Sequence, residues 1–223
     1  MTEPRRGRPR TPLLSRESIV AATLQVIGAE GVAGVGMRSV ARALRVDAKS
    51  LYNHVDGKDG LLDAVAEQLL GGLALPAPTG DPRHDLHAIA HAFREQALRH
   101  PQAAPLVLTR QLGSLRGLAP VDAVLAVLLD AGAAPQDAVH LLRMLLATLV
   151  GTLLREVSAA PAFGGDDGAR REVLESSGLP AVMTMAPHLA EFDRAAEFEY
   201  TVDLAITAVL DRIEHQRSGS RSS

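Results

Sequence analysis

Apolar residues recur three and four positions apart in segment after segment of this 223-residue chain. Leu62, Val65 and Leu69 show the spacing, which places them on one face of a helix. No stretch of useful length alternates with the period of two that a half-buried strand requires. Apolar residues make up 47% of the chain but aromatic residues only 3%, so the core must consist of Leu, Val and Ala, which as a set favour helix over strand. The sequence therefore predicts an all-α fold.

The length predicts a small module followed by a larger one. Three prolines and a glycine in LPAPTGDP (75–82) interrupt the helical periodicity and mark the boundary between them. We expect a disordered basic arm over residues 1–14, a small helical domain over 15–74, a larger helical domain over 75–215 and a disordered tail over 216–223.

Capping signals and periodicity predict the individual helices. Ser15 is the expected N-cap of the first helix, and Gly31 supplies its left-handed stop. Further helices are predicted at 37–44, 48–54, 58–73, 83–99, 102–115, 119–131, 135–157, 179–190 and 194–215. The segment 158–172, which is rich in Gly, Ala and Asp, is expected to be a loop.

Charge is unevenly distributed, although the net charge is only -3. Residues 1–58 hold 10 Lys or Arg against 5 Asp or Glu, whereas residues 59–223 hold 13 against 21. A positive N-terminal module on an acidic body favours a polyanionic partner at one end of the molecule. A chance excess of solvated arginines is the alternative interpretation.

The chain has no cysteine, which excludes disulfides and thiolate metal sites and fits a reducing cytoplasm. The basic N-terminus is not followed by an apolar segment long enough for a signal peptide. The longest apolar run, MLLATLVGTLL (144–154), is too short to span a bilayer. We therefore expect a cytoplasmic protein with no membrane partner.

Two short helices flank the turn RVD (45–47) in the stretch RSVARALRVDAKSLYNH (38–54). Two helices joined by about three residues describe a helix-turn-helix, whose second helix enters the major groove of DNA. The residues spaced to pack between the helices are Val40, Ala41, Leu44, Val46 and Leu51. Asp47 is placed to cap the second helix, which leaves an outward face of hydrogen-bonding side chains for a polar partner.

The N-terminal 70 residues resemble the DNA-binding domain of the TetR family of transcriptional repressors. The matching residues are GMRSVARALRV (36–46), LYNHV (51–55), Lys58 and LLDAV (61–65). The resemblance implies DNA contacts from Arg38, Lys49, Ser50, Tyr52, Asn53, His54 and Lys58. Arg45 departs from the family pattern, because it occupies a turn position where glycine is common. We expect mild backbone strain at Arg45 and regard it as a further candidate phosphate contact.

The expected DNA contacts differ in role. Lys49 and Asn53 are the better candidates for base edges, while Lys58 matches a phosphate-contacting lysine and Tyr52 and His54 are assigned to phosphates. Tyr52 and His54 have an alternative role as packing residues of the small domain's core. For the basic arm, a minor-groove contact and an inert tail are equally compatible with the sequence.

The body resembles the tetracycline-repressor branch of the same family, in DAVHLLRMLLATLVGTLLREVSA (137–159) and LPAVMTMAPHLAEFDRAAEFEYTVDLAITAVLDRIE (179–214). The resemblance implies a homodimer that binds palindromic double-stranded operator DNA and releases it on binding a small molecule of unknown identity. Two apolar stripes are expected to form a four-helix dimer interface: Val139, Leu142, Leu146, Leu149 and Leu153, and Phe198, Val202, Ala205 and Val209.

The ligand pocket is expected to be mainly apolar with few polar anchors. Its candidate residues, all equally suited to a core, are Phe93, Gln96, Arg110, His140, Met144, Thr148, Met183 and Met185. By resemblance, Phe93 matches an aromatic residue that lines the pocket. Val107 stands where tetracycline binders carry a metal-chelating histidine, which argues against a tetracycline-metal chelate as the ligand.

His84, His87 and His91 follow an H-x2-H-x3-H pattern on one predicted helix. The pair His87 and His91, four residues apart, has the spacing of two metal ligands. No companion carboxylate or cysteine site is evident from the sequence, so a solvated or pocket-lining histidine face is the preferred interpretation. We assign no metal and no cofactor.

The predicted function is that of a ligand-responsive DNA-binding repressor. The sequence shows no nucleophile elbow, P-loop or dinucleotide fingerprint, so an enzyme is not expected. A DNA-binding regulator without a small-molecule effector is the alternative. Coupling between ligand and DNA is expected to run through the helix at 58–73 and the LPAPTG joint (75–80).

Overall fold

The computed structural model describes residues 14–109, 115–157 and 166–220. Over these residues the fold is all-α, as predicted, with no strand. The helices are α1 (Arg16–Glu30), α2 (Met37–Leu44), α3 (Ala48–Leu51), α4 (Gly57–Gly71), α5 (Pro82–Arg99), α6 (Ala104–Thr109), α7 (Ala119–Asp130), α8 (Pro135–Val157), α9 (Asp167–Glu175), α10 (Pro180–Ala190) and α11 (Arg194–Ser220). Short 3-10 turns lie at Val32–Gly34 and Leu115–Leu118.

Local signals set the starts of the first helices. The Ser15 hydroxyl accepts a hydrogen bond from the Ser18 backbone N–H at 3.2 Å, and the Ser18 hydroxyl oxygen accepts one from the Ser15 backbone N–H at 2.9 Å. This reciprocal pair caps α1 as the sequence predicted. Asp81 caps α5, whose first residue is Pro82.

The predicted loop at 158–172 is partly wrong, because α9 begins within it at Asp167. The Asp166 carboxylate caps this helix by accepting a hydrogen bond from the Ala169 backbone N–H at 2.8 Å. The predicted disordered tail from 216 is also wrong over the described residues, since α11 continues to Ser220. Gln216 anchors this extension by donating a hydrogen bond from its amide to the Asp137 carboxylate of α8 at 2.6 Å.

Two further helices are shorter than predicted. The second helix of the helix-turn-helix ends at Leu51, because residues 52–54 continue as turns in which His54 and Val55 donate backbone hydrogen bonds to the Leu51 carbonyl. The helix expected over 102–115 begins two residues later, at Ala104, and is described to Thr109, while residues 110–114 lie outside the described part of the chain.

The apolar residues form two main cores. The N-terminal core packs α1 to α4, and its largest fully buried side chains are Ile19, Ile27, Val40, Leu51, Leu61 and Val65. Ala103 and Leu106, just before and within α6, are buried in the same core. The second core lies in the body, between α5, α7, α8 and α11. A satellite cluster of Leu174, Ala186 and Ala190 joins α9 to α10.

A non-helical connection over residues 72–81 links α4 to α5 and contains the proposed domain boundary. Its end folds back onto α5, where the buried Asp85 carboxylate accepts hydrogen bonds from the Thr79 hydroxyl at 2.7 Å and from the Thr79 and Gly80 backbone N–H groups. The hydrogen bond from the Thr79 hydroxyl is the main cause that lowers the pKa of Asp85. These contacts fix the connection against the first turn of α5.

Among the described helices, α8 alone is long and apolar enough to cross a membrane by length and composition. The helix extends on both sides of the apolar run identified from the sequence. It packs against α11, α7, α6 and α5 in the body of the fold. Its apolar residues are thus partly used as core.

Candidate DNA-binding surface and ligand cavity

The turn between α2 and α3 has the geometry of a helix-turn-helix. Arg45 ends α2 in the left-handed conformation, with φ 57° and ψ 40°. It is the one non-glycine residue with positive φ in the described part of the chain. The Val46 backbone N–H donates to the Ala41 carbonyl at 3.0 Å and closes the turn. The strain expected at Arg45 is therefore present.

The start of α3 is capped by Asp47, whose carboxylate accepts a hydrogen bond from the Lys49 backbone N–H at 2.7 Å. Leu51 and Val55 anchor the segment from within, since both are buried in the N-terminal core. The segment between and around these two anchors is therefore held on the protein surface.

The predicted DNA contacts lie on this surface. Lys49, Tyr52, Asn53 and His54 are exposed, and Ser50 is half-buried. Tyr52 is 59% exposed, so it does not pack in the core, and the same holds for His54. The side chains therefore present donors, acceptors and one aromatic ring to solvent.

Cationic side chains surround the α3 surface. Arg38 and Arg45 are exposed near the two ends of α2. Lys58, in the first turn of α4, is also exposed, and its Nζ lies 3.5 Å from the Ala33 backbone oxygen. Sequence reasoning missed Arg42, which is exposed one turn after Arg38. Their spacing of four residues places both on one helix face.

A partly open cavity of about 370 Å³ lies in the body. Its walls come from α4, α5, α6, α7, α8 and α11. Among the described lining residues, Thr148 of α8 carries the one polar side chain. The cavity therefore offers an apolar ligand a large contact area and one hydroxyl for orientation.

Two of the eight predicted pocket residues, Phe93 and Thr148, line this cavity. Met144 lies beside it, 3.7 Å from the Thr148 hydroxyl, and packs against the body core. Gln96 borders a smaller space next to α4 and donates its amide to the Leu69 backbone oxygen at 3.0 Å.

Three further predicted pocket residues do not line the cavity in this chain. His140 is exposed on α8, and Met183 and Met185 are exposed on α10. Their helices direct these side chains to solvent instead of the cavity. Arg110 lies outside the described residues.

Two lining residues connect the cavity with the N-terminal core: Leu70, which sequence reasoning did not assign to the pocket, and Val107, which the family resemblance placed at the ligand site. Leu70 comes from the end of α4 and Val107 from α6. Their chain neighbours Leu69 and Leu106 are buried in the N-terminal core. Both helices therefore contact the cavity and the core of the helix-turn-helix unit. No local signal distinguishes Leu70 from an ordinary core leucine.

The prediction that the apolar stripe of α11 packs against a second subunit is wrong. Phe198, Val202, Ala205 and Val209 are buried within the subunit's own core. On α8, Leu142 and Leu153 are buried in the same core. These residues face α5, α7 and each other, because α11 packs directly on α8 and α5.

Different apolar side chains of α8 and α11 reach the surface. Tyr200 is 70% exposed and Leu204, one turn later, is 58% exposed on α11. Ala147 and Gly151, also one turn apart, are exposed on α8. Small residues of α8 and large residues of α11 are therefore exposed on two helices that pack on each other, at positions that the sequence stripes did not include.

The structure supplies the companion carboxylate that the sequence did not reveal for the histidine pair. Ligand atoms of His87, His91 and Glu199 lie within 4.8 Å of one another. Glu199 belongs to α11 and lies more than a hundred residues after His91 in the chain, so local residue spacing could not predict it. The companion carboxylate that was not evident from the sequence therefore comes from a distant helix.

A partly buried ion pair connects helices of the body near these histidines. The Arg94 guanidinium donates to the Glu156 carboxylate at 2.6 Å from Nη2 and 3.0 Å from Nε. This hydrogen bonding raises the pKa of Arg94 above its usual range. Arg94 also lies 4.9 Å from the centroid of the Phe198 ring. The pair ties α5 to α8 and α11.

Comparisons with known proteins match both parts of the chain. Residues 19–65 match the model of bacterial regulatory proteins of the tetR family, and residues 75–213 match the tetracyclin repressor-like C-terminal domain. An HTH-type transcriptional regulator of Saccharopolyspora erythraea is 32% identical over 90% of this chain and 88% of its own.

Two further relatives agree in sequence or structure. The class A tetracycline repressor from transposon 1721 of Escherichia coli is 29% identical over 89% of this chain and 92% of its own. The crystal structure of a possible TetR family transcriptional regulator from Streptomyces coelicolor A3(2) has a TM-score of 0.77 at 28% identity, covering 87% of this chain and 98% of its own. The chain belongs to the TetR family of bacterial regulatory proteins and is a transcriptional repressor with a helix-turn-helix DNA-binding domain and a tetracycline-repressor-like ligand-binding domain.

Proposed function

We propose that this repressor acts in the cytoplasm as a homodimer that holds a palindromic operator and releases it when an apolar small molecule fills the body cavity. One observation carries the proposal: Leu70 and Val107 line the cavity, while Leu69 and Leu106 on the same helices are buried in the N-terminal core. A ligand in the cavity therefore contacts the two helices that support the DNA-binding unit.

On DNA, the α3 surface enters the major groove. Lys49 and Asn53 contact base edges, for which an ammonium and a carboxamide are suited. Tyr52 and His54 contact phosphates beside them. Ser50, which is half-buried at the edge of this surface, also contacts the DNA.

Phosphate contacts position the module without reading sequence. Lys58 supplies one from the N-terminus of α4, where the helix dipole also favours an anion. Arg38, Arg42 and Arg45 supply others from α2 and the turn. The four cationic side chains are exposed.

The dimer forms through the exposed faces of α8 and α11. Ala147 and Gly151 allow close approach of a partner helix, and Tyr200 and Leu204 supply apolar area. Because each subunit contributes the same faces, the interface is isologous. The two α3 surfaces then meet successive major grooves about one DNA turn, roughly 34 Å, apart.

The effector is a mainly apolar molecule with one hydrogen-bonding group. The cavity volume of about 370 Å³ falls within the range of roughly 300–1,000 Å³ that small-molecule sites occupy. The Thr148 hydroxyl is the orienting partner. Val107 occupies the position that carries a chelating histidine in tetracycline binders, so the ligand binds without a metal chelate at that position.

Release follows from a change in the separation of the two α3 surfaces. A ligand pressing on Leu70 displaces α4 directly, and one pressing on Val107 displaces α6 against the N-terminal core. This route adds α6 to the connection expected from sequence, in which α4 and the LPAPTG joint alone carried the movement. A hundredfold loss of operator affinity requires the ligand to prefer the released state by about 2.7 kcal/mol.

The test uses a palindrome from the DNA upstream of the gene, fluorescently labelled, and a panel of apolar compounds. Binding of the purified full chain is followed by anisotropy, and compounds are scored for release. Ala90→Phe directs a ring into the cavity and is expected to retain operator binding while losing the response to any active compound. Ala181→Phe, at an exposed position of α10, is the matched control and should respond as wild type.

Two outcomes would contradict the proposal. Release of wild type and Ala90→Phe at the same compound concentration would place the effector site elsewhere. The second outcome is that some compounds bind the wild type but not Ala90→Phe, and none of them releases the operator. This result would support a DNA-binding regulator without an effector.

A further inference from the structure

Three ligand-type side chains converge outside the cavity, on the surface where α5 meets α11. His87 and His91 lie one turn apart on α5, and Glu199 lies opposite them on α11. The Nε2 atom of His91 is 3.3 Å from the Glu199 carboxylate. Each of the three offers one ligand atom, and these atoms lie within 4.8 Å of one another.

We propose that His87, His91 and Glu199 form a binding site for a divalent transition metal ion of the Zn²⁺ class. Two imidazoles and one carboxylate are a common ligand set for Zn²⁺, which takes four ligands at about 2.0–2.2 Å in a tetrahedron. Ligand atoms at those distances are separated by about 3.3 Å, which matches the distance between His91 and Glu199. The third ligand atom reaches the same position by a small side-chain rotation, because all three residues are partly exposed.

Charges around the site favour a cation. Asp203 lies one turn after Glu199 on α11, and its Oδ1 is 3.3 Å from the His87 Nε2. Arg83 donates to the same Asp203 oxygen at 3.0 Å and to the Thr207 hydroxyl at 2.9 Å. With neutral histidines, two carboxylates face one guanidinium, so the local charge is negative. Asp203 either orients the His87 ring or supplies the fourth ligand.

The surroundings also orient the second histidine. The His91 ring meets the buried Phe198 ring edge-on, with centroids 5.4 Å apart. The nearby Arg94 is engaged by the Glu156 carboxylate at 2.6 Å. The Glu156 carboxylate compensates the charge of Arg94, whose guanidinium also interacts electrostatically with Glu199.

A metal at this position would join two walls of the cavity. Ile89, Ala90 and Phe93 of α5 line it, as do Val202 and Ile206 of α11. The ion would hold α5 and α11 together from outside and raise the stability of the body. This consequence does not depend on the proposed DNA or effector contacts.

The experiment titrates the metal-free full chain, with any purification tag removed, with Co²⁺ and follows the visible d–d absorption of the ion. Zn²⁺ is then added to displace Co²⁺, and thermal unfolding is recorded with and without Zn²⁺. We expect saturable binding of one ion per chain, displacement by Zn²⁺ and a higher Tm with Zn²⁺. Mg²⁺, which prefers oxygen ligands, should produce neither the spectrum nor the shift.

Variants assign the ligands. His91→Ala and Glu199→Gln should each weaken Co²⁺ binding at least tenfold and abolish the Zn²⁺-dependent rise in Tm. His84→Ala, exposed on the same helix, is the matched control and should bind as wild type. Circular dichroism of the metal-free variants checks their folding, and His87→Gln is a second ligand variant with a smaller change in packing.

The proposal is overturned if the wild-type chain shows no saturable Co²⁺ or Zn²⁺ binding, in which case the histidines and carboxylates form ion pairs only. It is also overturned if folded His91→Ala and Glu199→Gln bind with wild-type affinity. Neither result would alter the cavity or the DNA-binding surface.

Discussion

The side-chain amide of Gln96 donates a hydrogen bond to the backbone carbonyl oxygen of Leu69, 3.0 Å away. Leu69 is buried in the N-terminal core, while the next residue, Leu70, lines the body cavity. The bond therefore joins α5, one wall of the cavity, to the helix that supports the DNA-binding unit.

Gln96→Leu tests this connection. Loss of the hydrogen bond is expected to cost about 1 kcal/mol of the free energy of unfolding. We expect the variant still to bind the operator and an active compound separately. The factor by which the compound lowers operator affinity should, however, be about fivefold smaller than in the wild type. Gln102→Leu, at an exposed position just before α6, is the control. An unchanged ratio in Gln96→Leu would show that the bond does not carry coupling.

Arg45 holds a left-handed backbone conformation that glycine adopts without strain. Arg45→Gly is expected to raise the free energy of unfolding by about 1 kcal/mol, measured by denaturant titration. Arg45→Ala removes the same charge but keeps a Cβ, so it should not be stabilised. Both variants should lose the same phosphate contact and bind all DNA sequences more weakly. Equal stability of the two variants would contradict the strain assigned to this turn.

Lys49 and Asn53 are predicted to read base edges. Lys49→Ala or Asn53→Ala should cost roughly 1–3 kcal/mol of operator binding and relax sequence preference at the contacted base. Competition between operator and random DNA, measured by anisotropy at fixed salt, checks the prediction.

Lys58→Ala is the matched comparison, because Lys58 is assigned to a phosphate. It should weaken binding to operator and random DNA alike and reduce the salt slope by about one unit. If all three variants affected both kinds of DNA equally, the assignment of base readers would be wrong.

The helix caps and the turn that depend on residues close by in the sequence were predictable. Ser15, Arg45 and Asp47 act within three or four positions of themselves, so their cap and turn roles follow from residue type and spacing. The same holds for α9 in retrospect, since Asp166 is an N-cap that the glycine-rich surroundings obscured.

The site in the body depends on contacts between distant segments. The sequence pattern of an apolar stripe such as Phe198 and Val202 is the same whether the stripe faces its own core or a partner subunit. Here it faces its own core. Glu199 approaches His91 only because α11 packs on α5. A cavity is a missing volume between helices, and the residue type at Leu70 does not reveal it; Val107 was placed at the ligand site by family resemblance alone.

The exposed α11 face is predicted to form the dimer. Leu204→Glu places a charge in the proposed apolar interface and should convert a dimer to a monomer at micromolar concentration, as measured by sedimentation. Leu98→Glu, at an exposed position of α5, is the control and should remain dimeric. A dimer unaffected by Leu204→Glu would place the interface on another face, and a monomeric wild type would exclude the proposed assembly.

The central claim is that the cavity and the DNA-binding surface are coupled through α4 and α6. The most direct test measures the affinity of one active compound for the free protein and for the protein saturated with operator DNA, by calorimetry under the same salt. Because coupling is reciprocal, a compound that lowers operator affinity a hundredfold must bind the operator complex about a hundredfold more weakly than the free protein. Equal affinity in the two states would contradict an allosteric repressor of this kind.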